Sequence, residues 1–182
     1  MSKRIPPYSP LLTLVAFCFV TQVHAEDGVA DGKITLGGGK VTMVAPKKWE
    51  SKEPKFKGIV TAEFSIKPAE GDDSAARVTI GGAGGGIAAN LARWESQYSQ
   101  AKIDKSETKV AGQAVHWIDV QGTYKGSRFR KEASGPGFRL LGAIIATEKA
   151  GTYYVKFYGK AKTVAENEKA FKAMVESLAV GK

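Results

Sequence analysis

The sequence predicts an α+β fold built on a mainly antiparallel sheet. Three observations carry this. Strand-like segments follow one another in hairpin order, two helix-like stripes are inserted among them, and the regular strand–helix alternation of a parallel sheet is missing. The clearest pair is FRLLGAIIATEKAGTYYVKFYG, residues 138–159, two β-rich runs around Glu148-Lys149-Ala150-Gly151, which is a hairpin with a glycine-containing loop. In its first run Leu140, Ile144 and Ala146 share one face and Leu141, Ala143 and Ile145 the other, so the strand is central and covered on both sides. Its second run sets Tyr153, Val155 and Phe157 against Tyr154, Lys156 and Tyr158, which predicts a strand nearer a solvated face.

From the N-terminus, Lys3 and Arg4 precede an apolar run from Leu11 to Val20 and then Val23-His24-Ala25. This order describes a secretory signal peptide, residues 1–25, cut after Ala25. The run is shorter than the roughly 20 residues that span a bilayer. Cys18 follows the bulky Phe17, which does not suit lipid attachment, and no cysteine lies beyond it, so the exported chain has no disulfide. The signal holds two of the 27 basic residues and no acidic one, leaving 25 against 18, a net charge of +7. Residues 26–40 form a weakly ordered lead-in around Ile34-Thr35-Leu36, and residues 41–180 form a single α+β domain.

Within that domain, Val41, Met43 and Ala45 alternate until Pro46 stops the strand, and Trp49 offers an apolar anchor just beyond. Val60, Ala62, Phe64 and Ile66 point inward in a half-buried strand. A polar loop, 68–75, leads to a third strand with Ala76, Val78 and Ile80. Five glycines between Gly81 and Gly86 precede Ile87, Leu91, Trp94 and Tyr98, whose spacing makes one helical face. A charged linker follows, with Ser99 to Ser106 too polar for a buried strand. Gln113 to Tyr124 is again a strand, carrying Ile118 and Val120 on one face and Val115 and Trp117 on the other. Thr163-Val164-Ala165-Glu166 forms a capping box for a last helix with the stripe Val164, Phe171, Val175 and Leu178.

The Val41-to-Trp49 stretch with its proline and two lysines, the helix bearing Trp94, and the strand Tyr154 to Gly159 leading to a helix through Phe171 and Leu178 together resemble the PsbP-like fold. That is the fold of the extrinsic photosystem II protein, an α/β/α sandwich with a central antiparallel sheet, and it is similar to exported bacterial proteins of this size. The resemblance covers nearly all of the chain after residue 25. It implies a small exported binding or assembly module and assigns no individual residue.

Most sites that the sequence suggests have a plainer reading. Gly84 to Ala89 matches a G-x-G-x-x-A fingerprint with Asp104 downstream, but a dinucleotide site needs that acid at the end of a buried parallel strand. No cofactor is expected, and the glycines instead bring helix and sheet close. A helix N-terminus there could hold an anion. His116 is the only histidine after residue 25, so no metal site is expected, and it shares a strand face with Ile118 and Val120 as a packed residue. Glu70, Asp72 and Asp73 lack calcium-loop spacing.

The feature that suggests function is the basic loop, where Lys125, Arg128, Arg130, Lys131 and Arg139 surround Phe129 and Phe138. Cations interleaved with aromatic rings grip anionic groups. A second group, Lys47, Lys48, Lys52, Lys55 and Lys57, flanks Trp49. The expected function is an exported, periplasmic or extracellular, non-enzymatic binding or assembly module that turns a basic surface to an anionic envelope component or an acidic protein surface. Export disfavours nucleic acid, and no nucleic-acid motif accompanies the charge. The alternative is an envelope-acting hydrolase or transferase using carboxylates such as Glu63 or Asp119.

Overall fold

Both halves of the predicted hairpin lie inside the sheet, the first covered on both faces as expected and the second in the middle position. In the computed structural model, which describes residues 27–127 and 133–181, a seven-stranded antiparallel sheet runs β4-β5-β6-β10-β9-β8-β7. These are Glu50–Lys52 (β4), Val60–Ile66 (β5), Ala76–Gly81 (β6), Tyr98–Val110 (β7), Gln113–Tyr124 (β8), Gly135–Thr147 (β9) and Gly151–Lys160 (β10). β10 pairs with β9 from Gly151↔Thr147 to Lys160↔Phe138 and with β6 on its other side. The expected solvated face of β10 is therefore covered, because Tyr154 and Tyr158 form an aromatic layer there and are almost fully buried.

Two helices cover opposite faces. The second, α2 (Ala161–Glu176), lays Val164, Phe171, Met174 and Val175 against Val115, Ala143, Ile145, Val155 and Phe157. Phe171 is fully buried, which stabilises by about 2 to 3 kcal/mol relative to exposure. Trp49 joins this layer at 5.7 Å from Phe157 and 6.0 Å from Phe64, its Nε1 donating to Asn167 Oδ1 at 3.2 Å. The first helix, α1 (Gly86–Ser96), covers the other face with Trp94, over Ile118, Leu140, Ile144 and Tyr154. A Cβ on Gly142 of β9 would lie 2.4 Å from the Trp94 ring and 2.7 Å from Ile118, so only glycine lets the indole lie this close.

Tyr98, expected on the helical stripe with Trp94, opens strand β7 instead, and four further expectations need correction. The lead-in is ordered from residue 27: β1 (Gly28–Ala30) and β2 (Lys33–Leu36) join β3 (Val41–Val44) and β11 (Ala179–Val180) in a second sheet, with Ile34 and Leu36 fully buried. Asp27 fixes its turn, accepting N–H bonds from Gly37 and Gly38 at 2.9 and 2.7 Å. The charged linker is strand β7, which is almost wholly exposed. At the sheet edge it needs only backbone pairing to β8, and its charges guard the open side. The expected capping box does not form, because α2 begins at Ala161 and leaves Thr163 inside its first turn. Asp72 from the β5–β6 loop caps it instead, its Oδ2 accepting from Thr163 N–H at 2.9 Å and Thr163 Oγ1–H at 2.5 Å, a contact worth about 1 kcal/mol. The fourth correction is the covered face of β10.

Candidate functional site

On the α1 face, at the end of the sheet where β8 turns toward β9, aromatic rings gather. Tyr124 closes β8 and lies 5.2 Å from Tyr98, 5.7 Å from Phe138 and 5.8 Å from Tyr158. Cations stand over these rings. Lys156 Nζ is 4.6 Å from the Tyr158 centroid and 5.9 Å from Tyr124, and Lys160 Nζ is 5.0 Å from Phe138. They project here because Tyr154, Lys156, Tyr158 and Lys160 alternate along β10 onto one face.

Part of this charge is structural. Lys156 donates to Gln97 Oε1 at 2.5 Å, and Lys125 donates through its backbone N–H to Gln97 O and through Nζ to Ser96 O, each at 2.9 Å. Both lysines thus satisfy groups where α1 ends, where its dipole is negative. Arg77 holds Glu63 by two bonds of 2.7 Å and donates to Tyr158 Oη at 3.1 Å. Burial opposes the Arg77 charge, but its bonds to Glu63 and Tyr158 outweigh that and raise its pKa further.

Of the residues the sequence singled out, Lys125 lies in this cluster, and Phe138 forms its floor. Arg128, Phe129, Arg130 and Lys131 lie outside the described residues. Arg139 does not join them. It follows Phe138 in a strand and so points to the α2 face, where it is buried and its Nη2 bonds Asp119 at 2.6 Å and Glu168 at 2.8 Å. The lysines around Trp49 also separate: Lys47 and Lys48 precede β4 at the Ser65 end, whereas Lys55 and Lys57 follow it toward Val60. His116 is half-buried rather than packed away, with Nδ1 3.1 Å from Glu107 on the edge strand. Asp104 lies on antiparallel β7, so the glycine run has no parallel-strand acid.

A second concave surface was not visible in the sequence. Because α2 packs over β9 and β10, it leaves a groove of about 490 Å³ between itself and the outer strands β7 and β8. Trp117 and Leu141 lie at its base, Asp104, Ser106 and Thr108 on the β7 side, and Glu168 and Lys172 on the helix side. The groove brings Asp119 and Glu168 together, but both are bonded to one guanidinium. Lys172 first, and then Arg139, hold Glu168 below the usual carboxylate range, so it remains ionised and has no proton to donate near neutrality. Among the described residues, no three His, Cys, Asp or Glu side chains converge as a metal set, and no helix is long and apolar enough to cross a membrane.

No family model matches the sequence, and no curated protein does. Among solved structures, cyanobacterial PsbP (CyanoP) from Synechocystis sp. PCC 6803 superposes with a TM-score of 0.53 at 13% identity, over 87% of this chain and 99% of that one. The fold is PsbP-like. The Ran-binding protein Mog1p of Saccharomyces cerevisiae aligns more loosely, with a TM-score of 0.43 at 10% identity over 81% of this chain and 94% of its own. On the PsbP-like fold of this chain, the basic-aromatic cluster and the groove occupy opposite faces of the sheet, separated by its thickness.

Proposed function

We propose that the protein is an exported, non-enzymatic binding or assembly module that meets an anionic envelope component or an acidic protein surface with the cations at the β8–β9 end of its sheet. One observation carries this reading: Lys156, bonded to Gln97, and Lys160, 3.7 Å from Asp73, are held over Tyr158 and Phe138 beside the segment whose sequence adds Arg128, Arg130 and Lys131. Rings that pin lysine stems lower the entropy lost when an anion is gripped. A binding role, rather than hydrolysis, is supported by Glu63 and Asp119 each being held by an arginine.

The test is binding to polygalacturonate, to phosphatidylglycerol vesicles and to immobilised acidic protein at low and moderate salt. Binding to one of these should weaken steeply as salt rises. Arg128→Glu with Arg130→Glu should reduce it by about tenfold or more while leaving the thermal melt unchanged. Binding to none, or binding indifferent to salt and to these substitutions, would overturn the reading. The export component is tested separately, since mass spectrometry of exported material should find Glu26 as the first residue.

A further inference from the structure

We infer that the groove between α2 and the outer strands is a second site, and that it binds a neutral sugar ring. Trp117 supplies the platform. Its Nε1 donates to Thr108 Oγ1 at 2.8 Å and its ring meets Phe171 edge-on at 6.3 Å and 77°, so the half-buried indole is fixed before any ligand arrives. A rigid aromatic surface in a groove of about 490 Å³ matches the apolar face of a pyranose, and the volume lies in the ordinary range for small-ligand pockets.

The polar groups around it select against charge. Asp104 has Lys102 at 3.9 Å, Asp119 and Glu168 share Arg139, and Glu168 also has Lys172 at 2.6 Å. Glu176 is the remaining carboxylate of the lining, and Lys109 stands on the same rim. An anion would meet these carboxylates, and a free cation would have to displace a lysine or arginine already in place. What the groove offers is hydrogen bonding without net charge. The carboxylates accept, Lys172 donates, and Ser106 and Thr108 can do both. A ring of neighbouring hydroxyls with one apolar face satisfies all of these together.

The same wall explains why the ligand is bound and not cleaved. Asp119 and Glu168 receive their bonds from Arg139 on one side, which orients their remaining lone pairs, and Glu168 stays ionised. They act as acceptors for hydroxyl protons, not as acid and base. The site is on the face opposite the basic cluster, so it stands independently of the anion-binding reading.

The experiment titrates the purified protein with glucose-, galactose-, mannose- and N-acetylglucosamine-based disaccharides, following tryptophan emission and binding heat. Trp49 and Trp94 are each 6% exposed, so an emission change reports chiefly on Trp117. At least one neutral disaccharide should bind with millimolar or better affinity and change the Trp117 emission, while spermidine and digalacturonate should leave that emission unchanged, whatever they bind on the opposite face. Asp104→Asn, at an exposed rim position, should weaken binding by about threefold to tenfold without moving the melt. Trp117→Phe should remove the emission change and keep weaker binding by heat, while Trp117→Ala should abolish it. The inference is overturned if no neutral disaccharide binds at 10 mM, on the order of the weakest affinity a usable small-ligand site shows. It is equally overturned if spermidine or digalacturonate changes the Trp117 emission at lower concentration than any neutral disaccharide, or if sugar binding survives both Asp104→Asn and Trp117→Ala.

Discussion

The two faces of the central sheet are closed in different ways. Under α2 the layer is aliphatic and phenylalanine-rich, with Val115, Ile145, Val155, Phe157 and Phe171 all fully buried. Under α1 the layer is rich in tyrosine, and Arg77, Lys156 and Lys160 reach in among the rings. Length accounts for the contrast. A helix of 16 residues, helped by the small sheet, covers its face with side chains that need no polar partner. One of 11 residues cannot, and amphipathic rings and pinned cations complete the other face. The lesson is that stability should be concentrated under α2 and binding surface retained under α1.

The largest expected effect probes that division directly. Phe171→Ala should destabilise by about 4 kcal/mol in urea or thermal unfolding, since it opens a cavity in a fully buried apolar layer. A loss below about 1 kcal/mol would mean that the α2 face is not the main core. On the other face, Arg77→Met should cost about 3 kcal/mol because Glu63, at 7% exposure, loses both bonds from the guanidinium while its charge stays largely buried. Arg77→Met with Glu63→Leu should recover most of that loss. If it does not, the pair contributes net stability and the faces differ less than described.

The smallest effect concerns acid. The folded-state pKa of Glu168 is depressed, so its contribution is present above the ordinary carboxylate pKa and is lost as pH falls through the lowered value. Glu168→Gln should therefore flatten the decline in melting temperature between about pH 5 and pH 2. An unchanged acid slope would place the acid-sensitive link elsewhere.

Elements whose burial is one-sided were legible in the sequence. β6 and the α2 stripe show a period that matches the face they bury, whereas β5 also buries Glu63 on its other face. What was hidden depends on partners far along the chain. Asp72 caps a helix 91 residues away, and no local pattern announces that. β7 is polar because its faces are open, so hydrophobic period carries no signal there. The fate of Arg139 was open to inference, because successive strand residues cannot share a face, so Arg139 and Phe138 had to part. Trp117 was placed on the correct face, but the groove beside it depends on where α2 stops across the sheet, which the sequence does not encode locally.

The small sheet sets a clock on maturation. Val41 in β3 hydrogen-bonds beside Val180 in β11, and the strands near residue 28 are held in the same layer. A chain emerging from the ribosome can zip β7 to β10 in sequence, since each pairs with its neighbour, but the clasp formed by β11 must wait until residue 180 is free. Until then the apolar strand β3 lacks one flank, and the nascent polypeptide stays more open to proteases and chaperones. Deleting residues 179–182 should thus prolong that open interval, seen as slower acquisition of protease resistance during synthesis.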